Sequence, residues 1–171
     1  RPKLLSTPDE ADTWDRYDES KQQIIADRLD ILLRKLGANI PDDQYNLLLE
    51  GILDDLLGFG AIQRLISDKE CSEIMVNGTD IVFAEWKGKL QETDVAFDDE
   101  EHVLWTAQKI VRPLQRTLDR KNPMVDARLP DGSRVHLVTA PSALMGTTMT
   151  IRKFPEKRLT IDDLVKFGSL T

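Results

Sequence analysis

The residues of this 171-residue chain best suited to chemistry are arginines that share one face of a short β-hairpin. The stretch Met124 to Thr139 contains Pro130-Asp131-Gly132, a turn signal in which proline presets φ and glycine accepts positive φ. A three-residue loop at that point sets Leu129 opposite Ser133 and Arg128 opposite Arg134. Strand alternation then collects Val125, Ala127, Leu129, Val135 and Leu137 on one face, and Met124, Asp126, Arg128, Arg134, His136 and Val138 on the other. The next strand offers Met149 and Ile151 to the core, which adds Thr148, Thr150 and Arg152 to the polar face. Like charges in a cross-strand pair cost roughly 0.2 to 1 kcal/mol, so a negative group is expected between or beside the arginines. Guanidinium forks match phosphate oxygens two at a time and stay charged at every cellular pH. The chemistry expected is capture of a phosphate-like anion, with a merely solvated basic face as the plain alternative.

Other reactive residue types lack partners. His102 and His136 have no ligand spacing, and Ser133 has no adjacent base, so metal binding and nucleophilic catalysis are not expected. The acidic pairs Asp54-Asp55, Asp98-Asp99 and Asp162-Asp163 each fall in or before a helix, where acids cap or solvate. Ile52 to Leu57 (ILDDLL) imitates an apolar strand ending in acids but carries a helical period. The chain contains no G-x-x-x-x-G-K-[ST], and so has no phosphate loop of its own.

The elements that must position these residues follow from periodicity. Residues 1–13 are polar, contain proline and have no apolar period, as in a flexible lead-in. Ile25, Leu29, Leu32 and Leu36 form one stripe of a helix that stops at Gly37. Pro41 opens a second helix lined by Tyr45, Leu48, Leu49, Ile52, Leu53 and Leu56, and the two are expected to pair as a hairpin. With a short third helix at Ile62, Leu65 and Ile66, residues 14–68 read as a helical subdomain, and residues 69–171 as an α+β domain. In the latter, strands are expected at Ile74 to Val76, Ile81 to Trp86 and Leu90 to Thr93, with a hairpin at Lys87-Gly88-Lys89. A helix with Asp98 and Glu101 as its capping box follows and ends near Pro113. Strands near 124–129, 133–139 and 147–153 and a last helix near 160–167 complete an α+β fold with a mainly antiparallel sheet.

Composition narrows the class. Net charge is −7, yet Arg112 to Arg158 carries +6 and the remainder −13, which concentrates positive charge around the hairpin. Phe154 is the only aromatic in that segment, so the stacking platforms of single-stranded nucleic-acid binding are missing. No uninterrupted apolar run exceeds four residues, which excludes a membrane-spanning helix and a secretory signal within this sequence. The single Cys71 cannot form an internal disulfide and fits a reducing compartment, the cytoplasm by default. A first residue Arg1 reads as a fragment or processed form.

Ser72 to Leu90 (SEIMVNGTDIVFAEWKGKL), Met124 to Val135 (MVDARLPDGSRV), Thr150 to Phe154 (TIRKF) and Leu159 to Thr171 (LTIDDLVKFGSLT) resemble the N-terminal domain of type II/IV secretion ATPases, and within them the CpaF-like ATPases of Flp/Tad pilus assembly. The resemblance covers about Leu56 to Thr171, with residues 1–55 matching only as a helical leader. It implies a PAS-like sheet preceded by a small helical hairpin or bundle and followed by a C-terminal RecA-like domain that carries the phosphate loop. It further implies that Arg134 and Arg152, with Arg128 as a third, reach the phosphates of ATP held by that domain, through which Mg2+ is also supplied. The implied role is the non-catalytic, regulatory half of a hexameric motor ATPase for pilus assembly or protein secretion. Such a protein is cytoplasmic and reaches the inner membrane through platform proteins. His136 is not typical of the family at its position, which marks it as a modifier of the site. The reading of a different class is a stand-alone PAS-like docking or sensing module with no nucleotide role.

Overall fold

Helix-forming stripes and alternating strands sort the chain into a helical pair followed by a sheet, as a computed structural model describes for residues 18–37, 40–129, 131–154, 165 and 168. Helix α1 (Glu19–Leu36) is capped by Asp18, whose carboxylate accepts from Ser20 N, and it closes at Gly37, where φ is 65°. Helix α2 (Asp42–Leu56) starts after Pro41 with Asp42 and Asp43 in its first turn, favourable against the helix dipole. The first part of α1 meets the last part of α2: Ile25, Leu53 and Leu57 form a small core of their own. Packing fades toward the connecting end, where Leu36 is 75% and Leu47 74% exposed. Leu36 therefore does not share the burial expected of its stripe, because α2 lies against the other end of α1.

A 3₁₀ turn (Gly60–Ile62) leads into the short α3 (Gln63–Ser67), and Ile62 and Leu65 join the core of the sheet rather than the helical pair. The strands are β1 (Cys71–Asn77), β2 (Ile81–Trp86), β3 (Lys89–Glu92), β4 (Met124–Arg128), β5 (Arg134–Val138) and β6 (Thr148–Arg152), with α4 (Glu100–Val111) between β3 and β4. They form one six-stranded sheet in the order β3-β2-β1-β6-β5-β4. Every pairing is antiparallel, and β6 lies beside β1 at the centre. The fold is α+β, as expected. Lys87 and Gly88, both with positive φ, form the β2–β3 turn, so β3 begins at Lys89 rather than Leu90.

Helix α4 covers one face. Its Val103, Ala107, Ile110 and Val111 pack into a core with Ile74, Val76, Val82, Val135, Leu137, Met149 and Ile151. Each of the larger of these side chains contributes roughly 1.5 to 3 kcal/mol on burial. The N-cap of α4 is Asp99, which accepts from His102 N at 2.8 Å, one residue later than the expected box. The expected partners Asp98 and Glu101 do not cap: the helix starts at Glu100, which puts His102 at its third position. The helix ends at Val111 and passes into a 3₁₀ turn (Arg112–Leu114) containing Pro113.

Two lysines join the layers by closing helix ends. Lys109 Nζ donates to the carbonyls of Asp55 (2.9 Å) and Leu56 (2.7 Å) at the end of α2, and lies 4.8 Å over the Trp105 ring. Lys153 Nζ donates to the carbonyls of Leu65 and Asp68 at the end of α3. Among the described residues no helix is long and apolar enough to cross a membrane. The expected lead-in at 1–13 and most of the expected last helix lie outside the described residues.

Candidate anion site on the open face of the sheet

The hairpin that carries the arginines is fixed by its turn. Leu129 N donates to Ser133 O (2.8 Å) and Gly132 N to Leu129 O (2.9 Å). Asp131 accepts from Ser133 N (2.9 Å) and Ser133 Oγ (2.8 Å), an arrangement natural to aspartate in a turn. Gly132 takes φ of 92°, a conformation that favours glycine, and a Cβ there would press on the Phe154 ring at 3.2 Å. Ser133 is buried and its hydroxyl accepts from Phe154 N at 3.1 Å, which leaves it a structural residue and no nucleophile.

This turn sets Arg128 directly opposite Arg134. On its other side Arg134 stands opposite Arg152, and Arg152 opposite Glu73. Neighbouring strands lie about 5 Å apart, so three arginine backbones occupy one row across roughly 10 Å of sheet. All three are exposed, while their flanking residues Val135 and Ile151 are buried on the opposite face. One step along the strands lies a second row, Asp126, His136 and Thr150. His136 Nδ1 is 2.8 Å from Asp126 Oδ1.

Around these rows opens a pocket of about 840 Å³, lined by Arg128, Arg134, Arg152, His136, Asp126 and Thr150 with Glu73, Leu114 and Arg116. None of Arg116, Arg128, Arg134 and Arg152 forms a salt bridge with a described carboxylate. Four arginines against Glu73 and Asp126 leave the lining at +2 with His136 neutral. An anion would supply the partner that the row of like charges lacks.

Arg116 and Glu73 also line the pocket, though nothing in the local sequence pattern marks either. Arg116 reaches the pocket because Gln115 adopts a left-handed conformation after the 3₁₀ turn, and no strand alternation reports that. Glu73 enters the row only through the pairing of β1 with β6. Lys153, next to Arg152, faces the other way and serves α3.

The remaining candidates are structural. His102 Nε2 lies 3.5 Å from Asp55 Oδ1 and Nδ1 3.5 Å from Asp98 Oδ2, Nδ1 being buried without a hydrogen-bond partner, and the ring packs edge-on against Phe97. Burial pushes the Asp55 carboxyl above the ordinary range, opposed by His102. Cys71 is buried, and burial raises its thiol well away from a reactive state. Among the described residues no cluster of three or more His, Cys, Asp or Glu is arranged to hold a metal ion.

Fold and site together define an α+β domain with a pocket lined by four arginines on the sheet face opposite α4. The chain belongs to the type II/IV secretion system protein family, which matches residues 55–171. It is 38% identical over 137 residues to an uncharacterized protein of Methanocaldococcus jannaschii, covering 74% of this chain and 19% of that protein. It is 29% identical over 104 residues to the type IV secretion system protein VirB11 of Brucella suis, covering 60% of this chain and 29% of VirB11. The crystal structure of the VirB11 ATPase from the Brucella suis type IV secretion system, in complex with sulphate, aligns with a TM-score of 0.57 and 25% identity over 64% of this chain and 34% of that one. The chain thus spans about a fifth to a third of the length of these relatives.

Proposed function

We propose that this chain is the N-terminal, phosphate-reading domain of a motor ATPase for secretion or pilus assembly, of the CpaF-like Flp/Tad branch. The observation that carries the reading is the row Arg128, Arg134 and Arg152 on three adjacent strands, none of them in a salt bridge with a described carboxylate, in a pocket where four arginines outnumber Glu73 and Asp126.

The arginines present suit the phosphates of ATP by charge and by their paired N–H donors. On this reading the phosphate loop and Mg2+ belong to a C-terminal RecA-like domain, and ATP bound there would supply the phosphoryl group whose loss the arginines read. Arg134 and Arg152 would bear on the outer phosphates and couple their charge to the approach of the two domains. A homo-hexamer working in the cytoplasm against inner-membrane platform proteins is the assembly in which this coupling is expected. Helices α1 and α2 are assigned as a helical unit ahead of the phosphate-reading sheet, whose core takes in Ile62 and Leu65 of the expected 14–68 subdomain.

Arg134→Ala and Arg152→Ala in the full-length protein test the reading. Arginines in comparable positions supply roughly 10³ to 10⁵ in rate, whereas a phosphate loop holds most of the ground-state contacts. Turnover is expected to fall far more than nucleotide affinity. Variants that hydrolyse ATP at the parent rate would defeat the assignment.

A further inference from the structure

We propose that His136, positioned by Asp126, is a fourth ligand of the anion in this pocket, and that its contribution depends on its proton; the inference rests on the phosphate-reading assignment above. His136 lies two residues beyond Arg134 on β5, so the two side chains share a face, and its half-exposed ring lines the same pocket. The carboxylate of Asp126 can only accept, so the hydrogen bond at 2.8 Å fixes the neutral ring with its proton on Nδ1. Nε2 is then left without a described partner, as a lone pair in the neutral ring and as a donor in the protonated one.

That difference decides what an oxyanion meets. A neutral His136 offers the anion a lone pair, and the lining stands at +2; a protonated His136 offers an N–H, and the lining rises to +3. The groups facing the ring are Asp126 and Arg128 on β4, Arg134 on its own strand, Thr150 and Arg152 on β6, Glu73 on β1, and Arg116 from the segment after α4. The four arginines oppose a further positive charge, whereas Asp126 and Glu73 favour it. A bound dianion tips the balance toward protonation, and by reciprocity the proton tightens the anion. Thr150, level with His136 on the neighbouring strand, places a hydroxyl beside the same space. The outcome is a pocket that grips a phosphate more firmly when both ring nitrogens of His136 carry protons.

The test uses this chain and sulphate, which remains a dianion across the range, so that titration of the ligand drops out. Sulphate is titrated at about pH 6 and about pH 8 at constant ionic strength, followed by the His136 ring and arginine side-chain NMR signals. Binding is expected to be about fivefold to tenfold tighter at the lower pH, the scale of one hydrogen bond to a charged group. His136→Gln, which keeps a polar side chain but cannot titrate, should bind equally at both. Asp126→Asn, which keeps an acceptor for Nδ1 and removes a negative charge, should bind more tightly than the parent at the higher pH. A His136→Gln chain that retains the full pH dependence, or a parent chain that shows none, overturns the inference. If in addition Arg134→Ala and Arg152→Ala leave sulphate affinity unchanged, the phosphate-reading assignment falls with it. Arginine variants that lose sulphate while His136→Gln keeps its pH dependence overturn the role of His136 alone.

Discussion

The three strands β4, β5 and β6 present two faces made of alternate residues, and the faces obey different constraints. On the covered side Val135, Leu137, Met149 and Ile151 are at most 2% exposed and close against α4. On the open side the same strands carry Arg128, Arg134 and Arg152 in one row, with Asp126, His136 and Thr150 in the next. Each pair of opposed arginines costs roughly 0.2 to 1 kcal/mol. That is small beside the roughly 1.5 to 3 kcal/mol that each buried aliphatic side chain on the other face supplies. The covered face can thus carry an arrangement that folding alone would not select. Repeated like charge at one register level, on a face with no covering helix among the described residues, is the arrangement on which the proposed anion site rests.

The largest effect should come from breaking the open face in the full-length protein. If Arg134 and Arg152 act on one anion, their losses in turnover are not independent. A double Arg134→Ala, Arg152→Ala variant is expected to be hardly slower than the worse single variant, within about tenfold, where each single variant has lost on the order of 10³. Steady-state hydrolysis of the single and double variants measures this. Losses that multiply in full would place the two arginines on different groups and separate residues that the sheet sets side by side.

The covered face breaks differently. Leu137→Ala removes a side chain with no exposed surface from the middle of the core and should cost about 2 to 5 kcal/mol, read as a fall in the denaturation midpoint. Any loss of sulphate binding should follow the loss of folded protein, because the position reaches the pocket only through the backbone. Removing the helical pair should have a smaller effect. A chain starting near Leu56 loses Ile25 and Leu53 with their small core, the Asp55 carbonyl that Lys109 holds, and the Asp55 contact of His102. All of these lie on the α4 side, so the truncated chain should still unfold cooperatively at a lower midpoint and bind sulphate as before. A truncated chain that gives a molten near-ultraviolet spectrum would make the helical pair part of the main core.

How much of this could be read from the residues depends on how local the determinant is. The opposition of Arg128 and Arg134 was legible because Asp131 and Gly132 specify a tight turn, and a turn fixes register over the next few residues. The side taken by Arg152 was legible from Met149 and Ile151, its apolar neighbours in alternation. Glu73 depends on β1 pairing with β6, strands more than seventy residues apart, and no local pattern announces that contact. Arg116 depends on a left-handed Gln115, a conformation that residue type does not favour. The tasks of Lys109 and Lys153 depend on where two other helices end. The exposure of Leu36 depends on how far α2 extends along α1, a tertiary fact that a stripe of leucines does not contain. The cap of α4 moved by one residue because Asp98 and Asp99 are equally able to cap, and only the path of the chain after Phe97 chooses between them.

The smallest effect sharpens the comparison most, because its sign is opposite on the two faces. Arg128 lies on the outermost strand of the sheet and opposes Arg134 alone, whereas Arg134 has an arginine on each side. Arg128→Ala in this chain removes one like-charge pair and no described salt bridge. Without a bound anion it should stabilise the fold by about 0.2 to 1 kcal/mol at low salt, and by less as salt screens the repulsion. Saturating sulphate should reverse the order, because the parent gains binding free energy from an arginine that the variant lacks. Urea denaturation at two salt concentrations, with and without sulphate, measures all four quantities. A variant less stable than the parent at low salt and without sulphate would mean that the Arg128 stem packs usefully along the sheet. The row would then carry no repulsion large enough to call for a ligand.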